Sequence, residues 1–296
     1  TAVICIRKGV FPRRQSRTLQ LQKQKSILQK GLYLFLYNSC FYFILISIRT
    51  IISVNYTVEE FGYFTFSFTI ANAVMLLLDS FNTILFPKTI DLMSSDDNKK
   101  KADALEKMRV GYILTSHMLV YLAMICFPIL VWFIPKYMPA LSSMNMIALA
   151  VLMNTNSYGY SNMLIAQNKE HKAGFISAVS LIVNIILGLG LAKILNVEYS
   201  YITIAILVAY MISSFLMAYE GDTILRREKS LSYTLKHFFP IRMFIPYMIA
   251  LIISCTQIEY LIFIPLLVFI MLNYKDLQFL KNIALKLIKE PEVIDV

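Results

Sequence analysis

Charge is what this sequence has least of: 16% of its 296 residues are Asp, Glu, Lys or Arg, against 58% hydrophobic. A water-soluble domain carries about 25% charged residues, so most of this chain's surface does not face water. Paired cysteines are missing too. Cys5, Cys40, Cys126 and Cys255 stand singly, which excludes a disulfide framework and a cysteine-based metal site and leaves them as small apolar side chains. No repeat or low-complexity tract interrupts the chain. The opening "TAVICIRKGVFPRRQ" places its bases after a short apolar scrap, the reverse of a secretory signal. It reads as the tail of an earlier membrane helix, and the first residue, Thr1, suggests that a piece precedes it.

What is there is length of apolar chain. A helix needs roughly 20 apolar residues to cross a bilayer at about 1.5 Å per residue. Eight stretches qualify or nearly so: about 32–54, 61–87, 110–134, 141–165, 173–194, 201–219, 241–257 and 259–274. The last two are separated by "TQIE" and should form a tight helical hairpin. Pro128, Pro246 and Pro265 fall inside three spans, where neighbouring helices can satisfy freed carbonyls at a kink.

The bases then set orientation. Of 28 lysines and arginines, 25 lie in segments 7–30, 88–109, 169–172, 226–242 and 275–289. All five segments fall on one side if the chain alternates sides at each span. Lys136 and Lys193 fall on the other, and Arg49 lies within a span. The net charge of +10 is thus a topology signal, and nucleic acid needs no place in the account. The expected fold is an all-α polytopic membrane protein with both ends of the chain on the cytoplasmic side. Residues 1–31 are the end of a preceding helix and a basic linker, and 32–219 a six-helix bundle. Residues 220–240 form a cytoplasmic connector, 241–274 a two-helix hairpin and 275–296 an amphipathic tail resting on the leaflet.

Polar residues inside the spans form stripes. Thr65, Thr69, Asn72, Asp79 and Thr83 fall within an arc of about 80° on a helix. The first span offers Ser39, Tyr42, Arg49 and Ser53, the fourth Asn154, Ser157, Tyr158 and Ser161, and the fifth Ser177, Ser180, Asn184 and Gly188. Lipid satisfies none of these, so they face other helices or water. Packing seams and the walls of an aqueous passage both remain open readings for the Ser and Thr positions. For Arg49 and Asp79 a passage is favoured, because an intramembrane ion needs a partner or water. The two should not pair. At helical rise Arg49 lies ~8 Å below the outer boundary and Asp79 ~27 Å below it. His117 reads as hydrogen-bonded within the bundle, and Trp132, Tyr137 and Tyr199 as aromatic anchors at the outer boundary.

"RTIISVNYTVEEFGYFTFSFTIANAV", "ILFPKTIDL", "WFIPKYMPA" and "MLIAQNKEHKAGFISAVSLIVNIILGLGL" together resemble the polysaccharide (O-antigen-type) flippases. These belong to the multidrug/oligosaccharidyl-lipid/polysaccharide exporter superfamily, and the likeness covers roughly residues 30–220. It implies two pseudo-symmetric six-helix bundles with two extra helices, this chain supplying the second bundle and the extra pair, with an N-terminal bundle as its missing partner. It implies alternating-access transfer of an oligosaccharide linked to undecaprenyl pyrophosphate across a bacterial inner membrane, for cell-surface polysaccharide synthesis.

On that resemblance the substrate-binding candidates are Arg49, Asn72, Ser53, Tyr42, Asn154 and Asn184. Arg49 would meet pyrophosphate, since its fork donates two hydrogen bonds and stays charged. Asp79 would couple transport to H+ or Na+, and no other cofactor is implied. A multidrug or lipid II exporter of the same fold is the alternative. A membrane-embedded sugar-polymerising enzyme is disfavoured, because the external loops carry only Glu59, Glu60, Glu198 and Glu259 and are too short to build a pocket.

Overall fold

The computed structural model describes residues 17–94, 98–226 and 231–289. The sequence readings of the first 16 residues, and of the side chains at the far end of the tail, lie outside the described residues. Ten α-helices run through the described residues: α1 (Arg17–Asn55), α2 (Val58–Ser94), α3 (Asn98–Phe133), α4 (Leu141–Thr155), α5 (Tyr160–Ala166), α6 (Glu170–Leu189), α7 (Thr203–Arg226), α8 (Leu231–Phe238), α9 (Ile241–Thr256) and α10 (Ile264–Lys289). The chain is an all-α polytopic membrane protein. Among the described residues, six stretches are long and apolar enough to cross a membrane: Gln24–Asn55, Val58–Ser80, Met108–Phe133, Pro135–Thr155, Glu170–Ile194 and Tyr199–Ile224.

That is six where the sequence reading expects eight. The seventh candidate is α9, whose 16 residues reach only ~24 Å at helical rise, short of a hydrocarbon core of about 30 Å. The eighth merges with the amphipathic tail into α10, which leaves helical geometry at Asn273 (φ −117°, ψ 19°). Asn273 Nδ2 donates there to the carbonyls of Phe269, at 3.0 Å, and Arg242, at 3.2 Å. Pro265 is the second residue of α10, where a missing N–H leaves no bond broken, so it starts a helix rather than kinking one.

The turn between α1 and α2 explains two of the external acids. Thr57 and Glu60 form a reciprocal capping box: Glu60 Oε2 accepts from the Thr57 amide at 2.9 Å, and Thr57 Oγ1 accepts from the Glu60 amide at 3.2 Å. Two otherwise orphan donors at the start of α2 are thereby satisfied. Glu59 accepts from the Tyr63 hydroxyl at 2.6 Å. Both carboxylates serve the turn.

Helix α4 is the axis of the bundle. All its residues except Ser142 and Asn154 are buried, and it packs against α2, α3, α7 and α9. Helices α1 and α6 form another close pair, drawn together by small residues. A Cβ on Gly188 would lie 2.6 Å from Ile48 Cδ1, and one on Gly174 would lie 3.0 Å from the Tyr33 carbonyl oxygen. Such approach is how helices gain packing where lipid offers no hydrophobic drive.

The two ends of the bundle differ. At the basic end Lys30 bonds Asn168, Lys172 pairs with Glu220, and Arg242 with Asp276. At the opposite end lies an aromatic layer: Phe66 stacks on Tyr137 at 4.0 Å, and the Tyr56 and Tyr199 hydroxyls donate to the Val197 and Pro139 carbonyls. Trp132 is exposed, as an anchor should be, but Tyr199 is buried and bolts loops together. His117 is fully buried beside Tyr121 at 3.1 Å, stacked on Phe269, which matches its reading as a bundle residue.

Candidate functional site

The stretch "NTNSYGYSN", residues 154–162, is read from sequence as a continuous part of the span 141–165. The structure breaks it. Helix α4 stops at Thr155, and α5 begins at Tyr160 after a turn through Gly159, whose φ is +82°. Four polar residues and a glycine with positive φ favour leaving the helix at this point. Non-helical backbone at membrane depth is tolerated only where protein buries it or it lines a cavity.

It does line a cavity, of about 460 Å³. The broken segment supplies Asn154, Thr155, Ser157, Tyr158, Ser161, Asn162 and Ile165. Helix α1 supplies Leu34, Tyr37 and Asn38, α2 supplies Asp79, and α3 supplies Tyr112. Asn38 is exposed, so the cavity reaches the protein surface there. Tyr112 and Tyr158 stack at 4.0 Å and form an aromatic wall. The Thr155 and Ser157 hydroxyls donate within their own turn, to Leu152 O at 2.7 Å and Asn154 O at 2.9 Å, which leaves their lone pairs toward the cavity as acceptors. Asn162 is buried and its Nδ2 donor has no partner. Asp79 is the one charged residue of the lining, half-buried, and no basic side chain pairs with it among the described residues.

Of the seven residues nominated from sequence, the structure brings Asp79 and Asn154 to this cavity. The others lie elsewhere. Arg49 stands near the opposite end of α1, half-buried, its guanidinium carbon 5.5 Å from the centre of the Phe61 ring. Tyr37 of the cavity is 12 residues away along the same helix, ~18 Å at helical rise. The expectation that Arg49 and Asp79 do not pair therefore agrees with their placement. Asn72 is half-buried on α2. Ser53 is exposed and donates to the Thr50 carbonyl at 2.8 Å. Tyr42 is exposed, its ring edge-on to Phe41.

Asn184 is fully buried between α6 and α1, where its Nδ2 donates to Ile44 O at 2.9 Å and Ser47 Oγ at 2.8 Å. With Ser177, Ser180 and Gly188, also buried, it makes the fifth-span stripe a packing seam. Residues that the sequence reading left out, Tyr37, Asn38, Tyr112 and Asn162, come from three different segments. The one local signal for them is Gly159 between tyrosines within the apolar stretch 141–165, since glycine-interrupted hydrophobic segments mark binding sites in transporters.

Among the described residues, no group of three His, Cys, Asp or Glu side chains could hold a metal ion. Comparison with protein-family models, curated proteins and solved structures finds no match for this chain.

Proposed function

We propose that this chain is a membrane transporter, and that the cavity beside the α4–α5 break receives the sugar portion of a lipid-linked oligosaccharide during alternating access. The observation that carries the reading is the lining itself: amides, phenols, hydroxyls and one carboxylate gathered around interrupted backbone where the spans Val58–Ser80 and Pro135–Thr155 end. Sugar hydroxyls donate and accept at once. Asn154, Asn162, Ser157 and Ser161 offer both kinds of partner, and Tyr112 with Tyr158 offers aromatic faces for the apolar side of a ring.

The lipid tail of such a cargo stays in the bilayer while its head travels. Arg49, at the far end of α1, would meet the pyrophosphate as it arrives, and its planar fork suits a phosphate bidentately. Asp79 would bind or release H+ or Na+ as the cavity opens and closes. Membership of the oligosaccharide-flippase group rests on the short phrases quoted above, and with it go the inner-membrane location, the cytoplasmic placement of the basic end and an N-terminal bundle as partner.

One observation favours a second reading. The described lining holds a carboxylate and no base, which suits a cationic drug as cargo in an exporter of the same fold.

The test is transfer in proteoliposomes containing the full chain. A lipid-linked oligosaccharide with a fluorescent sugar is followed by its accessibility to an impermeant quencher. Transfer above protein-free vesicles, abolished by Asp79→Asn and reduced by Asn154→Ala, supports the proposal. Transfer of a cationic dye but not of the glycolipid selects the second reading, and movement of neither cargo sinks both.

A further inference from the structure

A helix that stops inside a bundle leaves carbonyl oxygens without partners, and the accounting at residues 156–159 is informative. The Ser157 carbonyl accepts from the amides of Tyr160, at 3.1 Å, and Ser161, at 3.2 Å, and the Gly159 carbonyl from the amide of Met163 at 2.9 Å. The Asn156 and Tyr158 carbonyls are held differently. Both are taken by one side chain from another helix: Arg109 Nη1 on α3 donates to Asn156 O at 2.6 Å and to Tyr158 O at 3.1 Å.

Arg109 is buried, and the Tyr160 ring covers its guanidinium at 4.1 Å. The Tyr160 hydroxyl donates to Asp222 Oδ1 at 3.1 Å, and Thr234 Oγ1 of α8 donates to Asp222 Oδ2 at 2.8 Å. Helix α3, the break, α7 and α8 thus meet in one buried polar cluster behind the cavity wall. Arginine suits this place and lysine does not, because a planar guanidinium can lie flat on a ring while its edge reaches two carbonyls.

We propose that Arg109 is the positioning residue of the cavity: it holds the unwound segment 156–159 out of helical conformation, so that Ser157 and Tyr158 form a wall instead of continuing α4. The inference rests on the reading of this cavity as a cargo site, but it concerns the wall alone and can be tested without cargo. With the guanidinium gone, the Asn156 and Tyr158 carbonyls lose this donor, and rewinding of the turn replaces it and closes the cavity.

The experiment uses the full chain in proteoliposomes, with Cys5, Cys40, Cys126 and Cys255 replaced by alanine and Ser157→Cys introduced. The rate of modification by a water-soluble maleimide is compared with that at a Lys169→Cys control. Arg109→Lys keeps the charge and should stay monodisperse in size exclusion. It should lower labelling at position 157 about tenfold, the scale set by leaving a buried acceptor unbonded, with the control unchanged. Arg109→Lys labelled at the parent rate, or faster, overturns the proposal.

Should that variant fail to fold, Arg109→Met, which removes the donors but keeps an unbranched side chain, should still slow labelling at position 157. No change there also overturns the proposal. Absence of labelling in the parent with Arg109 intact is a different failure, that of the cavity as a cargo site.

Discussion

Gly159→Ala probes the broken helix directly. The glycine sits at φ +82°, where an L side chain crowds its own backbone at roughly 1–2 kcal/mol. An added Cβ would lie 2.5 Å from Leu105 Cδ1 and 3.3 Å from Arg109 Cγ. Leu105 can swing its methyl aside only within a buried setting, and overpacking of that kind costs about 1–3 kcal/mol. The backbone term has no such escape, so the total loss should be roughly 2–5 kcal/mol.

Equilibrium unfolding in mixed SDS and non-ionic micelles measures it. Gly62→Ala serves as the opposite control: Gly62 lies in α2 with open space around its would-be Cβ, so alanine there should stabilise by about 0.5–1 kcal/mol. Gly159→Ala as stable as the parent would mean that residues 156–159 do not need a positive φ. A continuous fourth span would then be the better description, and the cavity wall would not exist.

Two further perturbations test the assignments made around the cavity. Asn184→Ala removes both hydrogen bonds between α6 and α1 and should reduce stability by roughly 0.6–1.7 kcal/mol, the range of interhelical bonds in membranes. Maleimide labelling at position 157 should stay at the parent rate, whereas a loss of labelling would place Asn184 in the cavity. Glu60→Ala removes the capping box of α2 and should lose about 1 kcal/mol in the same unfolding assay, while Glu60→Gln, which retains an acceptor, should lose less.

The distribution of residues along the chain shows how far the sequence could be read. Asp79 is the one charged residue of the span 61–87, so its need for water or a partner is visible without coordinates, and the structure places it in a cavity. Asn184 carries the same signal, a polar group at bilayer depth. Its partners, Ile44 O and Ser47 Oγ, lie 140 and 137 residues away, and nothing in its own helix distinguishes a seam from a passage. Arg109 was counted only as one base among six in a connector. Its partners are backbone carbonyls, and which carbonyls a turn leaves over depends on φ and ψ, not on residue type.

The order of the residues alone determined that this chain lives in a membrane. The shortage of charge, the apolar runs of about 20 residues and the gathering of bases in alternate loops are properties of composition and period, which folding cannot alter. Only the tertiary structure decided which polar residues line a cavity. A hydroxyl or amide is equally content with a neighbouring helix or with a cavity, because both satisfy its hydrogen bonds. The choice is made by which helices arrive opposite it, and by the point at which the central helix breaks.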